Sequence, residues 1–149
     1  LLLQRPFASD LRKISAALKM ISDMERIGDQ ASDIADMVPY IRFSEAKSKV
    51  HIEAMAKATV KMVTDSVEAF VQEDLDLAER VIDSDDEVDE LFTKVKKELI
   101  DLIYAKDIDA KVALDLLMTA KYYERIGDHA VNIAEWVVYS ITGVHKSNE

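Results

Sequence analysis

The sequence predicts an all-α protein built from a few long helices, and three observations carry that prediction. The 149 residues include only 3 Gly and 2 Pro, too few for the turns that an all-β or α/β chain needs. Apolar residues recur at three- and four-residue steps over long stretches, the period of a helix with one buried face. The segment Glu25-Arg26-Ile27-Gly28-Asp29 returns 99 residues later as Glu124-Arg125-Ile126-Gly127-Asp128, and over Glu25–Val38 and Glu124–Val137 9 of 14 positions are identical. Unrelated helical segments share about one position in such a window at average residue usage.

The first helix is predicted over roughly Phe7 to Met37, with Pro6 near its start and Pro39 closing it. Ile14, Leu18, Ile21, Met24 and Ile27, continued by Ala31, Ile34 and Val38, form one apolar stripe of about nine turns. Ser44 is the expected cap of a second helix running to about Glu73, with Val50, Ala54, Ala58, Met62 and Val67 along its inner face. Glu73-Asp74-Leu75-Asp76 reads as a turn and a restart. A third run follows from Leu75 to Tyr104, with a break expected near Ser84, where the acidic cluster Asp83-Ser84-Asp85-Asp86-Glu87 begins. The last helix is predicted from Ile108 to Ile141, with Gly143 as its stop. Short connections make consecutive helices antiparallel neighbours.

Composition narrows the functional classes. At 49% hydrophobic and 32% charged residues, the chain can bury a core and is not of the disordered class. Its length fits one ordinary domain or two small bundles sharing a boundary. The net charge of −10, from 19 basic and 29 acidic residues, leaves no basic stretch to track a phosphate backbone. Nucleic acid is therefore not an expected partner, and an anionic membrane surface is disfavoured. With no cysteine, disulfides and thiolate metal sites are ruled out, which is compatible with a reducing cytoplasm. No 18-residue apolar run or signal-peptide pattern occurs, so no direct membrane insertion is expected. The chain opens Leu1-Leu2-Leu3, and its natural N-terminus is expected upstream.

Residues four apart on a helix meet on one face, and like charges there cost a few tenths of a kcal/mol. Glu25/Asp29 and Glu124/Asp128 both carry that penalty, and Asp85/Asp89 repeats it on the third helix. A cation reverses its sign, because hard and borderline metals take oxygen ligands. The bland alternative is a solvated acidic helix face. Gly28 and Gly127 each cost about 1 kcal/mol relative to alanine inside a helix, and their equivalent positions predict a close backbone approach at both. His129 points about 100° away from Asp128 and reads as a core or surface residue rather than a ligand, while His51 and His145 read as structural. Asp10 and Asp109 each precede their Glu by 15 residues, about 22 Å along a helix. They are expected to be helix N-terminal charges favoured by the dipole.

The two Glu-Arg-Ile-Gly-Asp helices, the segment Asp85-Asp86-Glu87-Val88-Asp89-Glu90-Leu91 and the opening Pro6-Phe7-Ala8-Ser9-Asp10-Leu11-Arg12 together resemble the PhoU family, over essentially the whole chain. The resemblance implies two similar three-helix bundles, each with two Glu/Asp-x-x-x-Asp motifs that bind multinuclear clusters of transition-metal ions, iron or zinc. Asp85, Asp89, Glu124 and Asp128 match the two motifs of the second bundle, and Glu25 and Asp29 match one motif of the first. The other motif of the first bundle would lie on a helix before Leu1, so metal at Glu25/Asp29 is expected only if a second chain completes it. The implied architecture is the last helix of an incomplete first bundle over residues 1–42 and a complete PhoU-like three-helix bundle over 43–149.

The implied function is a cytoplasmic, non-enzymatic negative regulator. It would link the ATPase subunit of a phosphate ABC transporter to a sensor histidine kinase and damp the phosphate-starvation response. The open apolar stripe of the first helix is expected to drive self-association into a homo-oligomer such as a dimer, by exchange between chains. Two other readings stand beside this one: a carboxylate-bridged metal-dependent hydrolase and a metal-free helical interaction module. A ferritin-like di-iron oxidase needs Glu-x-x-His on two helices, and the chain has no Glu-x-x-His.

Overall fold

The periodic stripes become five helices in the computed structural model, which describes residues 4–41 and 50–145, with side chains for 7–37 and 50–145. These are α1 (Gln4–Ile41), α2 (Ile52–Gln72), α3 (Leu75–Asp83), α4 (Asp85–Tyr104) and α5 (Ala110–Thr142), and no strand occurs among the described residues. None of these helices is long and apolar enough to cross a membrane.

Several element boundaries have an identifiable local reason. Pro6 falls in the first turn of α1, where a missing N–H removes no intrahelical bond. Pro39 does not close the helix as predicted, because α1 continues to Ile41. A proline inside a helix removes a single bond from the ladder, and the helix carries on past this one. The predicted cap Ser44 lies outside the described residues. α2 ends at Glu73, which takes left-handed backbone angles of φ 53° and ψ 43° and donates its N–H to the carbonyls of Ala69 and Phe70. Asp74 then caps α3, its carboxylate accepting the Leu77 N–H at 3.0 Å.

The predicted third helix is broken at Ser84, whose Oγ donates to the Arg80 carbonyl at 2.8 Å. Asp85, Asp86 and Glu87 follow in the first turn of α4, where the helix dipole favours negative charge. At Gly143 (φ 80°) α5 stops, the glycine N–H donating to the Tyr139 carbonyl as a left-handed C-terminal cap does.

α2, α3–α4 and α5 form a three-helix bundle around Met55, Met62, Val81, Val88, Val95, Leu116, Ile133 and Val137. His51 at the start of α2 meets Glu98 near the end of α4, and Phe92 of α4 meets Lys121 of α5, so α4 runs antiparallel to both. α1 packs most extensively on α5, also antiparallel. Arg12 lies against Gly143, Asp23 against His129 and Asn132, and Met37 against Thr119.

Only part of α1 is covered. Ala16, Met20 and Ile34 are buried, whereas Phe7, Leu11, Ile14, Leu18, Ile21 and Met24 are 47–64% exposed. Most of the stripe read from the sequence is thus the uncovered side of α1, and a neighbouring row of small and apolar residues holds it to α5.

Candidate metal centre

The α4–α5 pairing brings the predicted carboxylates onto one face. Asp85 opens α4 and Asp89 lies one turn on. The antiparallel course of α5 sets Glu124 and Asp128 near them, and their mutual repulsion is legible in their acidity. The Asp85 carboxyl is pushed up to about 6 by burial first, then by the charges of Asp89, Asp128, Asp86 and Glu124. Asp128 is also raised, by burial first and then by Glu124 and Asp89, with Lys121 and His129 opposing. In addition, Asp85 Oδ1 is buried with no hydrogen-bond partner. A buried acceptor left unpaired costs about 1–3 kcal/mol, and a cation is one group that would satisfy it.

The donor set is all oxygen, which suits hard and borderline cations, and the orphaned Asp85 oxygen fits one. The arrangement itself is open, because among the described residues no three Asp, Glu or His side chains close around a common point. Glu124 is engaged elsewhere, with Lys121 Nζ 2.6 Å from its Oε1.

Glu25 and Asp29 fare differently. Both are exposed on α1, and no further ligand-type side chain among the described residues joins them. The close backbone approach expected at both glycines does not occur. A Cβ on Gly28 would meet nothing within 4 Å, since that face of α1 is open. At Gly127 it would meet Val88, Thr59 and Met62 at 3.5–3.8 Å, an ordinary packing distance.

The histidines hold helices in place. His129 Nδ1 lies 3.0 Å from Asp23 Oδ1, and Asn132 Nδ2 donates to the same oxygen at 3.2 Å. Asp23 was not singled out from the sequence. Its signal was its position on α1 between Met20 and Ile27, a carboxylate on a row that packs inward and so in need of a polar partner. At the start of α2, His51 Nδ1 lies 2.7 Å from Glu98 Oε2 and its backbone N–H donates to Glu98 Oε1 at 3.1 Å. The His145 ring packs on Trp136 with centroids 4.2 Å apart. Asp109 is the N-cap residue of α5 as expected. Asp10, however, lies inside α1, because that helix begins at Gln4, upstream of the predicted start.

A family model for the PhoU domain matches residues 1–38 and 52–137. The chain belongs to the PhoU family. Curated PhoU homologues named phosphate-specific transport system accessory proteins include one from Thermotoga maritima, 37% identical over 140 residues, and one from Clostridium acetobutylicum, 35% identical over 143 residues. The matched regions cover 93% and 95% of this PhoU chain but 60% and 65% of those relatives. The crystal structure of PhoU from Pseudomonas aeruginosa has a TM-score of 0.85 at 34% identity, covering 92% of this chain and 66% of that one. That of the phosphate transport system regulatory protein PhoU from Streptococcus pneumoniae has a TM-score of 0.77 at 28% identity, covering 92% and 65%. The all-α fold and the family resemblance are both established by these matches. The chain spans somewhat under two thirds of the length of these curated relatives.

Proposed function

We propose that this PhoU chain belongs to a non-enzymatic, cytoplasmic regulator of phosphate uptake. It damps the phosphate-starvation response through contacts with a phosphate ABC transporter's ATPase subunit and a sensor histidine kinase. The names of its relatives, accessory and regulatory proteins of phosphate transport, support the regulatory part. Metal binding is the second part of the proposal, and one observation carries it: the buried, unpartnered Asp85 oxygen beside three further carboxylates.

Asp85, Asp89, Glu124 and Asp128 would hold transition-metal ions, iron or zinc. When bound, the metal supplies positive charge that cancels carboxylate repulsion. The protein's own contribution is to fix the first turn of α4 against the middle of α5, so that metal occupancy and the surface offered to partners are linked. Glu25 and Asp29 form half a site, completed by a second chain in the homo-oligomer built on the uncovered side of α1.

Metal analysis of protein purified without chelator tests this reading. Wild type should retain a transition metal, and Asp89→Ala with Asp128→Ala should lose it along with the thermal stabilisation it brings. Wild-type protein without metal, with stability unchanged in the double variant, overturns the metal assignment. Turnover of phosphate esters by metal-loaded protein would instead favour the hydrolase reading.

A further inference from the structure

Lys121 lies one turn before Glu124 on α5, and its Nζ is 2.6 Å from Glu124 Oε1. The Glu124 side chain is only 15% exposed and that of Lys121 41%, so the pair is less screened by water than an ordinary surface ion pair. The same ammonium is 5.4 Å from the centroid of the Phe92 ring on α4, and Lys96 lies over that ring at 4.8 Å. Lys121 therefore touches a carboxylate of the candidate centre and an aromatic face at once. At the equivalent position of the first pentapeptide copy, three residues before Glu25, stands Ser22. The charge is built into only one of the two copies.

We propose that Lys121 is a tethered competitor for the metal ions, holding Glu124 out of the ligand set until a multivalent cation displaces it from the carboxylate and closer to Phe92. This rests on the metal reading of the α4–α5 carboxylates. One ammonium offsets one carboxylate, whereas a divalent ion among four offsets more than one, so the exchange favours multivalent ions. The ring is a contact that the displaced ammonium keeps and can tighten, so it is not left stranded. Lys121 is thus a positioning residue that sets how much metal is needed before α4 and α5 are tied.

The test is calorimetric titration of the chelator-treated chain with Zn2+ and, separately, Mn2+. Lys121→Met keeps the apolar stem without the charge and should bind about tenfold more tightly than wild type, the effect of losing one part-buried ion pair. Lys121→Arg keeps the charge, and Lys96→Met removes the other ammonium over Phe92. Both should stay within about threefold of wild type, since more distant charges are screened. Tight binding by Lys121→Met where wild type binds too weakly to measure also supports the proposal. Unchanged or weaker binding by Lys121→Met beside a binding wild type overturns it and leaves the metal reading standing, as does equal tightening by Lys96→Met. If neither wild type nor Lys121→Met binds either ion, both readings fall. Should Lys121→Met not fold, NMR of the wild type decides. Saturating Zn2+ should move the Lys121 side-chain methylene signals upfield through the Phe92 ring current, an effect lost in Phe92→Leu. Signals that stay in place at saturation overturn the proposal.

Discussion

Asp85 is the residue at which folding sets a carboxyl among other carboxyls. Its carboxyl is held at about 6 against an ordinary 3.8, by burial and by neighbouring acids. Between those two values the folded chain binds more protons than the unfolded one, so this group's contribution to stability is fully present below the lower value and is lost as pH rises through the upper. Chelator-treated wild type should accordingly gain stability relative to Asp85→Asn as pH falls from 7 toward 4. The change is on the order of 1 kcal/mol, discounted for the solvent-facing part of the group, or roughly 2–4 °C in melting temperature for a chain of this size. Paired thermal scans of the two proteins across that range check it, and parallel curves would contradict it. The carboxylates were legible in the sequence because their four-residue spacing is a helix-face signal. The Lys121–Phe92 contact was not, since it joins residues of α4 and α5 that meet only once the two helices are paired. Asp23 was not legible for a related reason: the nitrogens that meet its carboxylate lie more than a hundred residues away on α5.

For helices, the sequence was a good guide wherever a local rule decided the outcome. The Glu73 turn, the Asp74 cap, the Ser84 break and the Gly143 stop all follow from groups acting within a few residues. Pro39 misled because a breaker's effect depends on how much helix remains beyond it. The glycines misled more instructively. Their expense inside a helix is local and real, but the neighbours that would explain it are tertiary, and at Gly28 this chain supplies none. Gly28→Ala should therefore stabilise α1 by up to about 1 kcal/mol, raising the melting temperature by roughly 2–4 °C. A destabilised variant would mean that the open face at Gly28 is covered in solution.

The whole chain combines a well-filled three-helix bundle with a long helix whose outer side is apolar and uncovered. Phe7, Leu11, Ile14, Leu18, Ile21 and Met24, about half to two-thirds exposed, form a larger continuous apolar surface than a monomeric protein ordinarily leaves in water. Sedimentation velocity at micromolar concentration should show a species heavier than 16.8 kDa. Replacing Leu11, Leu18 and Ile21 by Gln should return it to monomer, and a wild type already monomeric would refute the association. The length and periodicity of this stripe were plain from the sequence. Which side of α1 would face α5 was not, because apolar residues lie on more than one side of the helix and the contacts that decide between them, Asp23 with His129 and Asn132 among them, are tertiary.

That match has a mechanical consequence. A single Asp23 oxygen receives both contacts from α5, so it works as an indexing pin between two rods. Sliding α1 by one turn, about 5.4 Å, would pull the carboxylate away from both partners and strand it among apolar neighbours. Glu25 and Asp29 ride on the same rod within two turns of the pin. Any group that meets them must do so at a height that Asp23 has already set.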